Sequence, residues 1–278
     1  MHCPRVFTGV GYALDSQGDT KRLLRLAWRH RDTYKHASPY KHIVIDNFVK
    51  PSFLEEVSKE IRASEDNSTI WRSWVEKTSI KSATRLTQTQ FSEIGPATQK
   101  LFDFLQSAVF IKFLEVLTGI ENILSDQLVT GAGVSKITSG GYLDIHADFN
   151  QEPGKTLGWR RLNLLLYLNE DWEESFGGSL EMWETNMAHN FFKYYAKVLP
   201  SFNRVIIFST TDVSLHGHMD EIQDGRSRFT VSTYYYTNER QDELISAKYH
   251  STIYPDWFLN KHSSTRWAET RPICPILL

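Results

Sequence analysis

The chain has 278 residues, 41% of them hydrophobic, enough for one large domain or two small ones with a proper core. Its formal net charge of −2 gives no basic excess to suggest nucleic acid as a partner and no charge block typical of a disordered tail. Met1 to Phe7 lacks the apolar core of a signal peptide, and no apolar run approaches the ~18 residues of a membrane span. Cys3 and Cys274 sit at opposite ends, too few and too far apart for a disulfide framework or a zinc-ligand pattern. The expectation is a soluble cytoplasmic protein with no membrane and no nucleic-acid partner, its oligomeric state left open.

Residues 1–38 read as a polar lead-in. Lys21 to Arg31 within it has helical character, with Leu23, Leu24, Leu26 and Ala27 among basic residues, and is expected to pack as a solvated amphipathic helix. The main domain is expected over 39–240, with helical support over 39–127 and a β core over 128–237. Tyr40 to Val49 is a β-like run. After Pro51, Ser52 and Glu55 have capping-box spacing, and Phe53, Leu54, Val57 and Ile61 predict a helix to about Ala63. Residues 64–95 are polar and predict loops with a strand or two. A second helical stretch follows Gly95-Pro96, carried by Leu101, Phe102, Leu105, Phe110, Phe113, Leu114 and Leu117, and stops at Gly119.

Beyond this the pattern changes to short strands separated by turns. Candidates are Leu128–Thr130, Val134–Thr138, Tyr142–His146, Arg161–Leu168, Ser179–Trp183, Arg204–Ser209 and Phe229–Tyr236. Pro153-Gly154, Gly177-Gly178 and Asp224-Gly225 supply the punctuation. Many short strands without alternating helices predict an antiparallel sandwich or jelly roll. The segments 64–95, Asn150–Trp159 and Glu184–Val198 are expected to be loops around the mouth of any site, the last with an aromatic cluster of Phe191, Phe192, Tyr194 and Tyr195. Residues 241–278 read as an irregular tail, with Trp257, Phe258 and Trp267, packed on the domain.

Chemistry concentrates at Gly140 to Phe149, where His146 and Asp148 stand two residues apart in an expected strand and so share a face. One more histidine would complete a 2-His-1-carboxylate facial triad of the kind that holds non-haem Fe(II). His216 follows the apolar strand Val205–Ser209 and can supply it; His218, two residues on, competes for the place. In the strand beginning at Arg226, alternation puts Arg228, Thr230 and Ser232 on one face, and a guanidinium beside a hydroxyl suits a buried carboxylate.

At this point the chain resembles the Fe(II)- and 2-oxoglutarate-dependent dioxygenases, in their prolyl-4-hydroxylase-like branch. The resemblance is carried by Gly141-Tyr142-Leu143, His146-x-Asp148-Phe149, Arg161 to Asn169 followed by Trp172, Gly177-Gly178-x-Leu180, Asn203 to Phe208, His216-Gly217 and Arg228-x-Thr230. It implies a mainly β chain built on a double-stranded β-helix (a cupin-like jelly roll) with flanking N-terminal helices. It implies His146, Asp148 and His216 as metal ligands and favours His216 over His218. It also implies Arg228, Thr230 and Tyr167 at the far carboxylate of 2-oxoglutarate; strand alternation puts Asn163 and Arg161 on the face of Tyr167, where they are expected to border the same pocket. Arg160, Arg161 and Tyr142 are candidate substrate contacts. The implied cofactors are Fe(II), 2-oxoglutarate as co-substrate and O2, with ascorbate as an expected stimulant.

The implied reaction hydroxylates an aliphatic C–H of a prolyl or other amino-acid residue, a free amino acid or a small natural product, releasing succinate and CO2. Asp148 stands where related halogenases have a small residue, so hydroxylation is the expected outcome. Desaturation, ring closure or epimerisation on the same scaffold is the alternative, and a non-catalytic jelly roll that binds a peptide or small molecule is a third reading.

Overall fold

The computed structural model describes residues 6–8, 20–67, 69–73, 80–86, 94–126, 132–151, 158–186 and 191–240. In chain order the elements are β1 (Val6–Thr8), α1 (Thr20–Lys35), β2 (His42–Asp46), α2 (Pro51–Ala63), β3 (Trp71–Ser73), β4 (Ile80–Leu86), α3 (Pro96–Leu105), α4 (Ala108–Thr118) and β5 (Leu124–Ser125). The remainder is β: β6 (Gly133–His146), β7 (Trp159–Tyr167), β8 (Leu180–Asn186), β9 (Phe191–Val198), β10 (Val205–Ser209), β11 (Leu215–His218) and β12 (Ser227–Thr237). Among the described residues no helix is long and apolar enough to cross a membrane.

The strands form one sheet in the order β1-β2-β10-β7-β12-β6-β11-β8-β9, with β3 and β4 branching from β6, and β5 from β12. Apart from β1 with β2, the named pairings are antiparallel. The long strand β6 holds the curled sheet together because it changes partner midway. Its first part, Gly133 to Thr138, pairs with β12, and its end, Leu143 and His146, pairs with β11. Gly140 lies between the two parts at φ 70°, a left-handed conformation that glycine adopts without strain. There the chain exchanges backbone hydrogen bonds with Ile222, which accepts from the Gly140 N–H (2.8 Å) and donates to the Gly141 carbonyl (3.0 Å).

Strand alternation divides the residues between two faces. Ile43 and Ile45 of β2, Leu162, Leu164 and Leu166 of β7 and Val205 and Ile207 of β10 pack outward against the helices. Leu23 and Ala27 of α1, Leu54, Val57 and Ile61 of α2, and Phe110 and Phe113 of α4 meet them in one buried core. Val44, Tyr167, Ile206 and Phe208 point the other way and meet Leu180, Met182 and Val198 from the far wing. The lead-in belongs to the same body: β1 extends the sheet, and α1 buries Leu23, Ala27 and Tyr34.

Several expectations change in detail. The helix after Pro51 forms, but Pro51 is its first helical residue, Lys50 stands at the N-cap, and no side chain caps it. Capping instead occurs between helices: the Glu60 carboxylate of α2 accepts from the N–H groups of Ala97 (2.9 Å) and Thr98 (2.7 Å) at the start of α3. The second helical stretch is two helices, broken where Ser107 caps α4 by accepting from the Phe110 N–H (3.2 Å). Val134–Thr138 and Tyr142–His146 are parts of one strand. Most of the expected mouth loop Glu184–Val198 is strand: β8 runs to Asn186 and β9 spans Phe191–Val198 at the sheet edge. Tyr194 of β9 packs edge-on against Trp183 with ring centroids 6.0 Å apart, ordinary core packing. The candidate strand Leu128–Thr130 and the tail 241–278 lie outside the described residues.

Candidate metal centre and co-substrate pocket

His146 ends β6, and its direct cross-strand partner on β11 is His216. That register brings the two imidazoles together, ring centroids 4.6 Å apart. Such close approach of β11 requires Gly217, where an added Cβ would lie 2.7 Å from the carbonyl oxygens of Leu143 and Asp144. Each ring is turned by its own strand: His146 Nδ1 donates to the Asp144 carbonyl (2.7 Å) and His216 Nδ1 to the Ser214 carbonyl (2.9 Å). With Nδ1 protonated, each neutral ring presents the Nε2 lone pair.

Asp148 lies two residues beyond the end of β6, rather than within the strand as expected, and reaches the same point. Its carboxylate oxygens stand 3.4 Å from His146 Nε2 and 3.8 Å from His216 Nε2. One ligand atom from each of the three side chains falls within 4.8 Å of the others. Asp148 Oδ2 accepts from the Asn163 amide (2.5 Å) and lies 3.4 Å from Arg160 Nη1. Asn163 in turn accepts from the Thr210 hydroxyl (3.1 Å), so the carboxylate is oriented from behind.

Burial works against ionisation of Asp148, but contact with His146 and the charges of His216 and Arg160 hold its carboxyl well below the usual range. Burial also depresses His216, to about 4, and the charge of His146 adds to this against the pull of Asp148. For His146, burial is outweighed by Asp148 and the Asp144 carbonyl, and its pKa is raised. Two imidazoles and one carboxylate, with their second atoms engaged elsewhere, are a donor set that fits Fe(II).

Farther along the inner face, Arg228 is buried on β12, its Nη1 donating to the Thr230 hydroxyl (3.0 Å) and its guanidinium 5.1 Å from the centre of the Tyr167 ring. Thr230 and Tyr167 are direct partners across β12 and β7. Gly178 abuts Arg228 closely: an added Cβ would lie 2.9 Å from Arg228 Cδ and 2.4 Å from Ile222 Cδ1. Arg228 Nε has no hydrogen-bond partner among the described residues, and the Tyr167 hydroxyl, though near Arg228, makes none of good geometry. Buried donors left unmet are uncommon, and a carboxylate is the ligand that would satisfy them. Arg226, by contrast, is exposed and stacks on Phe176 (3.9 Å).

The other candidates are distributed unevenly. Asn163, expected along the co-substrate pocket, is committed to Asp148. Beyond Leu162 the register of β7 against β12 slips, Tyr235 facing Leu162 and Tyr236 facing Arg160, so Arg161 is the extra residue. The bulge reverses the alternation: Arg160, and not Arg161, shares the inner face with Asn163 and Tyr167. Arg160 is sandwiched between the rings of Phe149 and Tyr234, 3.6 Å from each centre, while Arg161 donates to the Thr237 hydroxyl (3.2 Å). Tyr142 is half-buried opposite Lys81 of β4. Sequence reasoning missed Tyr40, which carries no motif signal: its hydroxyl donates to the Leu215 carbonyl (3.2 Å) and its ring lies 6.0 Å from Phe208, which packs on His216.

Comparison with known proteins agrees with this geometry. Residues 132–236 match the family model of the 2OG-Fe(II) oxygenase superfamily. The chain is similar to the prolyl 3-hydroxylase OGFOD1 of Mus musculus, 22% identical over 232 residues, covering 80% of this chain and 39% of that protein. It therefore spans about two fifths of the length of that curated relative. In fold it is similar to a Trichoplax adhaerens prolyl hydroxylase in complex with a hypoxia inducible factor peptide fragment, at TM-score 0.56 and 19% identity over 80% of this chain and 94% of that one. A Pseudomonas putida prolyl-4-hydroxylase aligns at TM-score 0.52 and 16% identity, over 76% of this chain and 99% of that one. Residues 132–236 are thus similar to the 2OG-Fe(II) oxygenase superfamily, and the chain's fold is that of the prolyl hydroxylases it aligns with.

Proposed function

We propose that the chain is a 2-oxoglutarate-dependent hydroxylase acting on an aliphatic C–H of a prolyl residue in a peptide. The observation that carries this reading is the presence, on one inner face, of a two-imidazole, one-carboxylate cluster and a buried guanidinium whose Nε is left unmet. Support for the substrate class comes from the prolyl hydroxylases to which the chain is similar.

In this reading His146 Nε2, His216 Nε2 and one oxygen of Asp148 hold Fe(II), while Asn163 and Arg160 keep the other oxygen of Asp148 engaged. Arg228, Thr230 and Tyr167 receive the distal carboxylate of 2-oxoglutarate, and the apolar side chains around them exclude water. The bound metal and co-substrate, with O2, supply the oxidative chemistry: decarboxylation to succinate and CO2 coupled to hydroxylation. Arg160 and its aromatic sandwich stand beside Asp148, where they can orient a substrate carbonyl as well as the carboxylate.

The test incubates the protein with Fe(II), 2-oxoglutarate, ascorbate and a panel of prolyl peptides, free amino acids and small natural products. Succinate release together with one added oxygen on proline is expected. An added oxygen only on a free amino acid or small molecule moves the substrate class, and loss of two hydrogens moves the outcome to desaturation. No succinate together with no iron binding returns the chain to a non-catalytic jelly roll.

A further inference from the structure

The proposed function leaves His218, a buried polar side chain of the inner face, without a role. His218 is 1% exposed, and neither of its ring nitrogens has a hydrogen-bond partner among the described residues. Three other buried imidazoles of the sheet are treated differently by the fold. His146, His216 and His42 each donate Nδ1 to a backbone carbonyl two residues away on their own chain segment. An imidazole always has at least one N–H to place, and leaving it unmet in a dry interior is costly enough that native proteins seldom do so without a ligand.

The register locates the ring. His216 pairs with His146, whereas His218 pairs with Leu143, so the extra residue of this irregularity belongs to β6. Alternation along β11 is undisturbed, and His218 shares the inner face with His216. Continuing the β8 register, in which Gly217 faces Glu181, sets His218 beside Leu180, which packs with Tyr167 and lies two residues from Gly178, the residue against Arg228. Arg228 Nε, the Tyr167 hydroxyl and an N–H of His218 are thus three buried donors of one region of the inner face without a well-formed hydrogen bond. A carboxylate offers about four acceptor positions on its two oxygens and can meet all three. A keto acid that ends in a methyl group would leave all three unmet.

We propose that His218 is a third anchor for the distal carboxylate of the co-substrate, donating its ring N–H alongside Arg228 and Tyr167, so that the pocket selects a dicarboxylic keto acid over a monocarboxylic one. This rests on the 2-oxoglutarate reading given above. It adds a positioning and specificity residue to that pocket, and it takes no part in holding the metal.

The test is equilibrium binding by calorimetry to the full chain loaded with Mn(II), which keeps the pocket free of turnover. The probes are 2-oxoglutarate and 2-oxopentanoate, which has a methyl group where 2-oxoglutarate has its distal carboxylate. Because a hydrogen bond to a charged acceptor is lost, His218→Leu is expected to weaken 2-oxoglutarate by about tenfold or more and 2-oxopentanoate by less than about twofold. His218→Met carries the same expectation, so a folding defect in one variant leaves the other to decide. His218→Gln, which keeps an N–H donor, should recover most of the affinity. Unchanged 2-oxoglutarate affinity in the leucine and methionine variants overturns the proposal, as does equal weakening of both acids. A wild-type protein that binds no 2-oxoglutarate, or an Arg228→Ala variant that binds it normally, overturns the co-substrate reading itself, a result separable from any failure at His218.

Discussion

The two ends of the inner face are built on opposite plans. At the metal end the secondary hydrogen-bonding atoms are engaged: both Nδ1 groups are tied to backbone carbonyls and Asp148 Oδ2 is held by Asn163. At the guanidinium end Arg228 Nε, the Tyr167 hydroxyl and both nitrogens of His218 are left without a well-formed hydrogen bond. A metal needs lone pairs aimed in advance, so the fold must occupy everything else on those side chains. A carboxylate ligand needs free donors in a dry enclosure, so the fold must leave them open. The same sheet supplies both by varying which strand neighbours reach each side chain.

Changes at either end should therefore fail in different ways. Asp148→Ala should reduce product formation by at least about a thousandfold while the circular dichroism spectrum stays native, because the charged member of the ligand set is lost. Product formation near that of wild type would sink the triad assignment. Arg228→Ala should raise the 2-oxoglutarate KM by roughly 30-fold or more, with metal affinity within about threefold of wild type. If metal affinity falls in step with co-substrate affinity, the two ends are not separable. Asn163→Ala should weaken Mn(II) binding by about 10- to 100-fold, as expected when a ligand loses the group behind it. Unchanged affinity there would mean that Arg160 alone orients Asp148. On the outer face, Leu164→Ala should cost about 2–5 kcal/mol of unfolding free energy while leaving both affinities intact, which is checked by urea titration beside the binding measurements. Lost binding in a folded Leu164→Ala protein would break the separation between faces.

Most of this arrangement was legible where period-2 alternation held. Alternation assigns Tyr167 and Asn163 to one face of β7 and Arg228 and Thr230 to one face of β12, as observed. It failed at Arg161, because a bulge set by pairing with Tyr235 and Tyr236 is a property of the partner strand and leaves no mark in the sequence of β7 itself. The aromatic run of β9 carries no clean alternation in its sequence, and only pairing with β8 fixes it as a strand. A spacing of two residues puts His218 on the face of His216. Its lack of a backbone partner could not be read, since hydrogen bonding depends on which carbonyls the folded chain brings near. The metal triad needed a cross-strand register as well as a motif, and that register depends on Gly217, which lets β11 approach β6.

The direct pairing of His146 with His216 has a consequence for assembly. The two strands are far apart in the chain, and long-range pairings of this kind close late and slowly. The cluster cannot exist until β11 has docked on the end of β6, so any ion that binds it binds only the closed sheet. By linkage such an ion raises the unfolding temperature and slows the parting of the two wings. A metal at this point acts as a clasp on the fold as well as a reagent, and a simple Mn(II)-dependent rise in melting temperature, lost in Asp148→Ala, would report both.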